Sequence, residues 1–135
     1  MSWLFLKGTP IKNFDQLRMF PEPSKLDISE TSVKELTVLS QLSKLEWLDI
    51  SDTNVTSLAP LVDCPLRSLC ACDVPIADVE PIESCKKLRV LAIANTHVSD
   101  EVIKESAKKI PDCDVILERP TDFDAVSRRY AGGVF

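Results

Sequence analysis

The sequence predicts an α/β repeat solenoid, in which a parallel sheet of about six short strands lines a concave face and an irregular or briefly helical chain forms the convex side. One observation is an apolar-x-apolar phrase found six times along the chain: Leu4-Phe5-Leu6, Leu26-Asp27-Ile28, Leu48-Asp49-Ile50, Leu69-Cys70-Ala71, Leu91-Ala92-Ile93 and Val115-Ile116-Leu117. A second is the spacing of these phrases, which start 22, 22, 21, 22 and 24 residues apart. A unit of that length cannot bury a core alone, so neighbouring units must stack.

Each phrase is followed at fixed distances by positions of constant character. One such column is threonine in every unit but one: Thr9, Thr31, Thr53, Val74 and Thr96. An aliphatic residue follows two positions later and leucines recur every three, so the full unit reads L-x-x-L-x-I-x-x-T-x-V-x-x-L-x-x-L. We expect the threonine hydroxyls to satisfy backbone groups in the turn after each strand. Val74 cannot do so, and a local departure or a water is expected there.

This unit resembles the leucine-rich repeat family in its short 22-residue form, with threonine where the family more often has asparagine. The resemblance covers residues 1–118, which we predict to be a leucine-rich repeat domain of about five to six repeats. It implies short parallel strands whose leucines face the core. It also implies binding of other molecules through the concave face.

Two segments depart from the repeat. Residues 100–110 combine helical spacing of apolar residues with acids at the start and lysines at the end, which predicts a helix on the convex side. Further on, Thr121-Asp122-Phe123-Asp124 predicts the start of a second helix that runs to about Tyr130. Residues 119–135 are therefore expected to be either a cap on the last coil or a partner-binding tail. The cap would act through Phe123, Val126 and Tyr130.

The composition limits the function classes. A net charge of -5 disfavours direct contact with nucleic acid or anionic membrane, because both require concentrated Lys and Arg, although basic residues gather near both ends of the chain. No stretch reads as a secretory signal or a membrane span. The five cysteines are irregularly spaced and odd in number, which predicts reduced thiols inside a cell. The cytoplasm is the first expectation, with the nucleus or an organelle as alternatives.

Side chains alternate along a strand, so the residues that flank the inward-facing leucines point to the concave face. Trp3 and Trp47 both fall there, and a tryptophan buried by a partner commonly dominates the energy of an interface. The alternative is that Trp47 covers neighbouring strands and Trp3 packs at the end of the solenoid. Aspartates outnumber basic residues nearby, so the expected partner segment carries Lys or Arg and an apolar anchor. The predicted partner-binding residues are Trp3, Phe5, Lys25, Asp27, Trp47, Asp49, Asp52, Cys70, Asp73 and Val90.

The N-terminal coil is predicted to be open, because the first strand begins within the first few residues and leaves no room for a cap before Leu4 and Leu6. Phe14, Leu17 and Phe20 would then line the open end. Two arrangements could cover it. Either another subunit stacks on this end, or the end is covered by the bulky residues Trp3, Phe5, Met19 and Phe20.

No constellation in the sequence predicts catalysis, a metal or a cofactor. The lone histidine, His97, falls in a turn, and the chain has no glycine-rich phosphate loop. Cys70 and Cys72 are expected to project toward the concave face, but they lack the C-x-x-C spacing and the further ligands of a zinc site. The remaining cysteines are expected to fill the core: Cys64, Cys85 and Cys113.

These observations predict a non-catalytic protein-protein interaction module, acting as an intracellular adaptor or as a structural subunit of a larger multiprotein complex. One alternative is the regulatory subunit of an enzyme such as a phosphatase or a ubiquitin ligase. Another is a component of a nucleic-acid-containing complex, which would contact phosphate through the basic ends and lose affinity steeply as salt rises.

Overall fold

The fold comes from a computed structural model, which describes residues 2–11, 17 and 22–130 and, in the last helix, side chains up to Arg128. In this part of the chain, one parallel sheet is built from β1 (Trp3–Phe5), β2 (Lys25–Asp27), β3 (Trp47–Asp49), β4 (Ser68–Cys72), β5 (Val90–Ala94) and β6 (Asp114–Ile116). The strands follow one another in chain order. Equivalent positions of successive repeats pair with each other, as Leu26, Leu48 and Leu69 do. The predicted solenoid is confirmed.

Short 3-10 helices form most of the convex side. They span Thr37–Gln41, Ala59–Leu61 and Glu80–Ser84, and each directs one aliphatic side chain into the core. These side chains are Leu39, Leu61 and Ile82. A 3-10 helix packs a turn into few residues, which suits a repeat that must return to the next strand within 22 positions.

The predicted convex helix is present as α1 (Asp100–Ala107). Ser99 caps its start, because the Ser99 hydroxyl accepts a hydrogen bond from the Val102 amide at 3.3 Å. The helix ends before residue 110, and a tighter turn follows in which the Ile110 amide donates to the Ala107 carbonyl at 3.0 Å. Pro111 disfavours a helix that runs through residue 110, since a proline disfavours helical geometry in the residue before it.

The inward-facing leucines form one continuous core along the solenoid. Cys64 and Cys85 fill the return of the chain, as predicted, and each thiol donates to a carbonyl of the preceding coil, at 3.3 and 3.4 Å. Burial raises the pKa of both thiols to about 11, so they stay protonated at neutral pH. Cys113 is only partly buried and packs against the same core.

The threonine column closes the turn after the strand. Three hydroxyls donate to a carbonyl three residues earlier, each at 2.8 Å: those of Thr9, Thr31 and Thr53. The residue before each column position has a left-handed backbone, from Gly8 (φ 72°) to Asn95 (φ 55°). At Val74 the preceding residue, Asp73, keeps this geometry (φ 59°), so no backbone departure accompanies the loss of the hydroxyl. Thr96 differs, because its hydroxyl oxygen accepts from the Val98 amide.

The two ends of the solenoid differ from the prediction that this chain's own bulky residues cover the first coil and that the second helix caps the last one, while stacking of another subunit on the first coil stays a prediction. At the N-terminal end Leu4 and Leu6 are only partly buried, and Trp3 and Phe5 lie on the concave face instead of folding over the end. Phe14, Met19 and Phe20 lie outside the described residues. At the C-terminal end the second predicted helix is present as α2 (Phe123–Tyr130). Phe123 and Val126 pack on the concave side of the sheet, whereas Val115 and Leu117 in the last coil stay partly exposed.

Candidate functional site on the concave face

The concave face is built from two rows of side chains that the parallel register holds in line. One row runs through Trp3, Lys25 and Trp47, and the next through Phe5, Asp27 and Asp49. The face brings together the predicted strand residues Trp3, Phe5, Lys25, Asp27, Trp47, Asp49, Cys70 and Val90. The other two predicted residues, Asp52 and Asp73, lie in the turns where β3 and β4 end.

The chain's own C-terminal segment crosses this face. We call residues 119–128 the C-terminal strap. The Phe123 ring packs on the Trp47 ring with centroids 5.2 Å apart, and the Trp47 indole donates to the Ser127 hydroxyl at 2.8 Å. Trp47 is consequently only 2% exposed. Partner contact through Trp47 therefore stays a prediction that requires the strap to leave.

A buried lysine lies between the strap and the exposed aromatic residues. Lys25 is 1% exposed, and its ammonium lies 4.8 Å from the centroid of the Trp47 ring and 5.0 Å from that of Trp3. Asp124 of the strap forms an ion pair with it. A buried ammonium requires a counter-charge, and the aromatic faces add a favourable cation-π interaction. The strap thus supplies the charge that allows Lys25 to be buried.

A second set of ion pairs anchors the start of the strap. The Arg119 guanidinium reaches Asp73 at 2.5 Å and also pairs with Asp52. Its hydrogen bonds to these two carboxylates, that to Asp52 first, raise the pKa of Arg119 further above its ordinary range. The acidic residues that follow β3 and β4, predicted to meet a partner, therefore already contact a cation of this chain.

A cleft of about 570 Å³ remains open between the N-terminal half of the face and the strap. Asp27 and Asp49 line it. One oxygen of each is fixed locally: Asp27 Oδ1 accepts from the Ser29 hydroxyl at 2.6 Å, and Asp49 Oδ1 accepts from the Ser51 amide at 2.9 Å. Burial raises the pKa of Asp49, and the nearby Asp27 charge raises it further. The cleft is lined by four aspartates and by the cations Lys7 and Arg119, so carboxylates outnumber basic side chains, and a further cation would favour the ionised form of Asp49.

Two aromatic side chains flank this acidic cleft. Trp3 is 48% exposed and Phe5 is 54% exposed. Their rings stack edge to face with centroids 6.5 Å apart. Phe5 lines the cleft directly, so an apolar surface and a negative surface lie side by side. Such a pairing suits a segment that carries both an apolar and a basic side chain.

Cys70 and Cys72 do project to the concave face, but they are buried in a cluster with Trp47 and Phe123. Their sulfurs are 3.9 Å apart. The contact between the two thiols raises the pKa of Cys70 and lowers that of Cys72. Among the described residues no group of three His, Cys, Asp or Glu side chains converges as a metal site would require. His97 is exposed in the turn after β5.

Comparison with known proteins identifies the fold. No protein-family model matches the sequence, and no curated protein matches it in sequence. Solved structures with the same fold include two internalins from Listeria monocytogenes, InlF (TM-score 0.76, 20% identity, 86% of this chain) and internalin C2 (TM-score 0.76, 23% identity, 90% of this chain). The fold is a leucine-rich repeat solenoid. A leucine-rich repeat protein from Leptospira interrogans is also similar, with a TM-score of 0.64, 21% identity and 78% of this chain covered.

The chain spans 34%, 55% and 28% of the lengths of these three leucine-rich repeat structures. The likeness therefore concerns the repeat scaffold and carries no partner with it. In the part of this chain that the structure describes, no helix has both the length and the apolar character that a membrane span requires.

Sequence reasoning missed the residues of the strap that contact the face. Arg119 pairs with Asp52 and Asp73. Asp124 pairs with Lys25, and the Ser127 hydroxyl accepts from the Trp47 indole. One signal pointed that way: Lys25 is a cation between two tryptophans in its row of strand positions, and Asp124 follows an aromatic residue in the predicted second helix. Complementary charge alone could not identify which segment meets which.

Proposed function

We propose that this protein is a non-catalytic protein-protein interaction module, an adaptor or a structural subunit of a larger complex. In this proposal it holds a partner segment in the cleft beside the C-terminal strap. The observation that carries the proposal is the pair Trp3 and Phe5, each about half exposed (48% and 54%) beside a cleft into which the strand residues Asp27 and Asp49 face. Leucine-rich repeat solenoids offer extended concave surfaces suited to such binding.

The partner segment would carry a lysine or arginine and an apolar anchor. The basic side chain would enter the cleft between Asp27 and Asp49, where partial burial strengthens a charge pair. The apolar side chain would pack on Trp3 and Phe5. Burial of aromatic surface would supply most of the affinity, and the carboxylates would supply orientation and association rate.

The predicted partner-binding residues divide into two groups under this proposal. Those open to a partner while the strap is in place are Trp3, Phe5, Asp27 and Asp49. Those that the strap already contacts or covers are Lys25, Trp47, Asp52, Cys70, Asp73 and Val90. The second group would meet a partner only after the strap moves.

A peptide selection tests the proposal. We expect random peptides selected on the wild-type chain to be enriched in Lys or Arg near an aromatic or aliphatic residue. A Trp3→Ala, Phe5→Ala double variant should bind a selected peptide about tenfold or more weakly, because two aromatic contacts are lost. Asp27→Asn with Asp49→Asn should weaken binding most at low salt.

The matched control is Val102→Ala, which removes an exposed aliphatic side chain (51% exposed) from the convex helix α1. Its affinity for the peptide should equal that of the wild type. The proposal fails if the double variant binds as the control does, or if the selected peptides have no basic residue. If the proposal holds, capture from native extract with the same set of chains identifies the partner protein.

The alternatives predict other observations. A regulatory subunit would bind through the same residues and differ only in having an enzyme as its partner. A nucleic-acid component would need free cations, yet the described basic residues near the two ends face carboxylates: Lys7 with Glu30, Lys25 and Arg128 with Asp124, and Arg119 with Asp52 and Asp73. This pairing favours a protein partner.

Two further expectations remain proposals. A second subunit could stack on the first coil, which is supported by the partial exposure of Leu4 and Leu6. An intracellular, reducing location is supported by the free thiols of all five cysteines. Size measurement in solution tests the first, and fractionation of cells tests the second.

A further inference from the structure

We infer that the C-terminal strap is a built-in occupant of the concave face, and that a partner protein segment of the same chemistry displaces it. That segment carries an arginine followed four residues later by Phe-Asp, as Arg119, Phe123 and Asp124 do in this chain. The inference rests on the proposed function and names the partner for the covered half of the face. The acidic cleft beside it is a separate part of the same surface.

The strap contacts the face as a bound segment would, with one anchor of each chemical kind. Phe123 provides the apolar anchor on Trp47. Asp124 provides the anion for Lys25, and Arg119 provides the cation for the two acids that follow β3 and β4. An aromatic residue with flanking charges of both signs thus complements Trp47, Lys25 and the two acids on this face. Any segment with that spacing of the three side chains would complement the same residues.

Several features make the strap a reversible occupant. Its helix has eight residues, a length that is marginal in water without packing. Of its side chains, only Phe123 and Ser127 are buried. The Arg119 end is substantially exposed (41%), and exposed ion pairs bind weakly, whereas the pair of Asp124 with the buried Lys25 is exposed only on the Asp124 side (39%). What holds the strap is therefore a small set of contacts, the Phe123 ring on Trp47, the Trp47–Ser127 hydrogen bond and the Lys25–Asp124 pair, together with its connection to β6.

Displacement would join the two halves of the face. Lys25 already lies against Trp3 and Phe5 on one side and against Trp47 on the other. With the strap gone, these residues would form one continuous aromatic surface with a single ammonium at its centre. A partner could then contact the covered half through Phe-Asp and the open half through its neighbouring residues.

Competition by a peptide tests the inference on the full chain. The probe is a labelled peptide of residues 117–130, and its control has alanine in place of the phenylalanine. In the wild type the tethered strap competes at an effective concentration of about a millimolar, so we expect little binding below that concentration. In a Phe123→Ala chain the strap loses its anchor while the face stays intact. We expect the probe to bind this chain about tenfold or more tightly than the wild type, and the control peptide not to bind.

A second readout follows the strap directly. In a Trp3→Phe background, Trp47 is the remaining tryptophan, and its emission reports whether the indole is shielded. Phe123→Ala should shift this emission to the red, and the probe should reverse the shift. Asp124→Lys serves as a second loosened chain. In a chain with Lys25→Glu, a probe with lysine in place of Asp124 should bind better than the original probe.

The inference is overturned if a folded loosened chain binds probe and control peptides equally. It is also overturned if both Phe123→Ala and Asp124→Lys lose the far-ultraviolet dichroism of the solenoid, since the strap is then an integral part of the fold. Peptides selected on the wild-type chain separate this failure from that of the proposed function. If they still require Trp3 and Phe5 while the probe fails, the proposed function stands and the inference falls.

Discussion

The N-terminal and central parts of the concave face have the same strand geometry but opposite solvent exposure. Trp3 and Trp47 occupy equivalent positions two repeats apart, yet Trp3 is 48% exposed and Trp47 is 2% exposed. The repeat does not cause this difference, because both side chains leave the sheet in the same direction. The C-terminal strap causes it by covering β3 and leaving β1 open. In this protein, a segment outside the repeat decides which part of the repeated surface stays exposed.

The largest effect should come from removing the covered tryptophan. Trp47→Ala deletes a fully packed indole together with its contacts to Phe123 and Ser127, and should lower the free energy of unfolding by about 3–5 kcal/mol. Trp3→Ala removes a ring that is about half exposed and should cost about 1 kcal/mol or less. Urea denaturation of both variants measures the contrast. Equal losses would show that the strap does not protect Trp47 in solution.

An intermediate effect should come from the charge pair that joins strap to face. Asp124→Asn leaves the buried Lys25 ammonium without its counter-charge and should cost about 1–2 kcal/mol, a value reduced because Asp124 is itself 39% exposed. Lys25→Met removes the buried charge and should be within about 1 kcal/mol of the wild type, since an apolar residue of similar size can replace a buried ion.

The double variant sharpens this prediction. Adding Asp124→Asn to a Lys25→Met chain should change the free energy of unfolding little, because the ammonium that needs Asp124 is gone. Denaturation of the four chains gives the coupling between the two residues. Additive losses would mean that Asp124 stabilises the strap in some way other than through Lys25.

The repeat scaffold could be predicted from the sequence because its determinants are local and periodic. The leucine at each strand position, the threonine that closes each turn and the helix capped by Ser99 all follow from spacings within one unit. The acidic side chains of the open cleft could also be predicted, since strand alternation places Asp27 and Asp49 on the concave face. The start of α2 was predictable too, from Asp122, whose side chain accepts from the Ala125 amide at 3.1 Å.

The covered half of the site could not be predicted from the sequence, for a physical reason. The contacts that decide it join residues far apart in the chain, 99 positions between Lys25 and Asp124 and 80 between Trp47 and Ser127. A periodic pattern fixes how neighbouring coils stack, but it contains no information on where a non-repeating segment crosses them. Sequence reasoning thus located Trp47 on the right face and could not foresee its burial.

The smallest effect lies at the boundary between the two regions, where Asp49 lines the open cleft while burial raises its pKa above the ordinary value of 3.8. Because the folded chain then binds this proton more tightly than the unfolded chain, Asp49 stabilises the fold most at low pH, and that contribution is lost as pH rises through the folded pKa. Asp49→Asn lacks this dependence. The wild type should therefore lose stability relative to Asp49→Asn as pH rises from about 3.8 through the raised folded pKa. Urea denaturation across that range measures the difference. A flat or opposite trend would show that the Ser51 hydrogen bonds and the Arg119 charge, which lower the pKa of Asp49, outweigh burial, and that this chain already neutralises the carboxylate in the cleft.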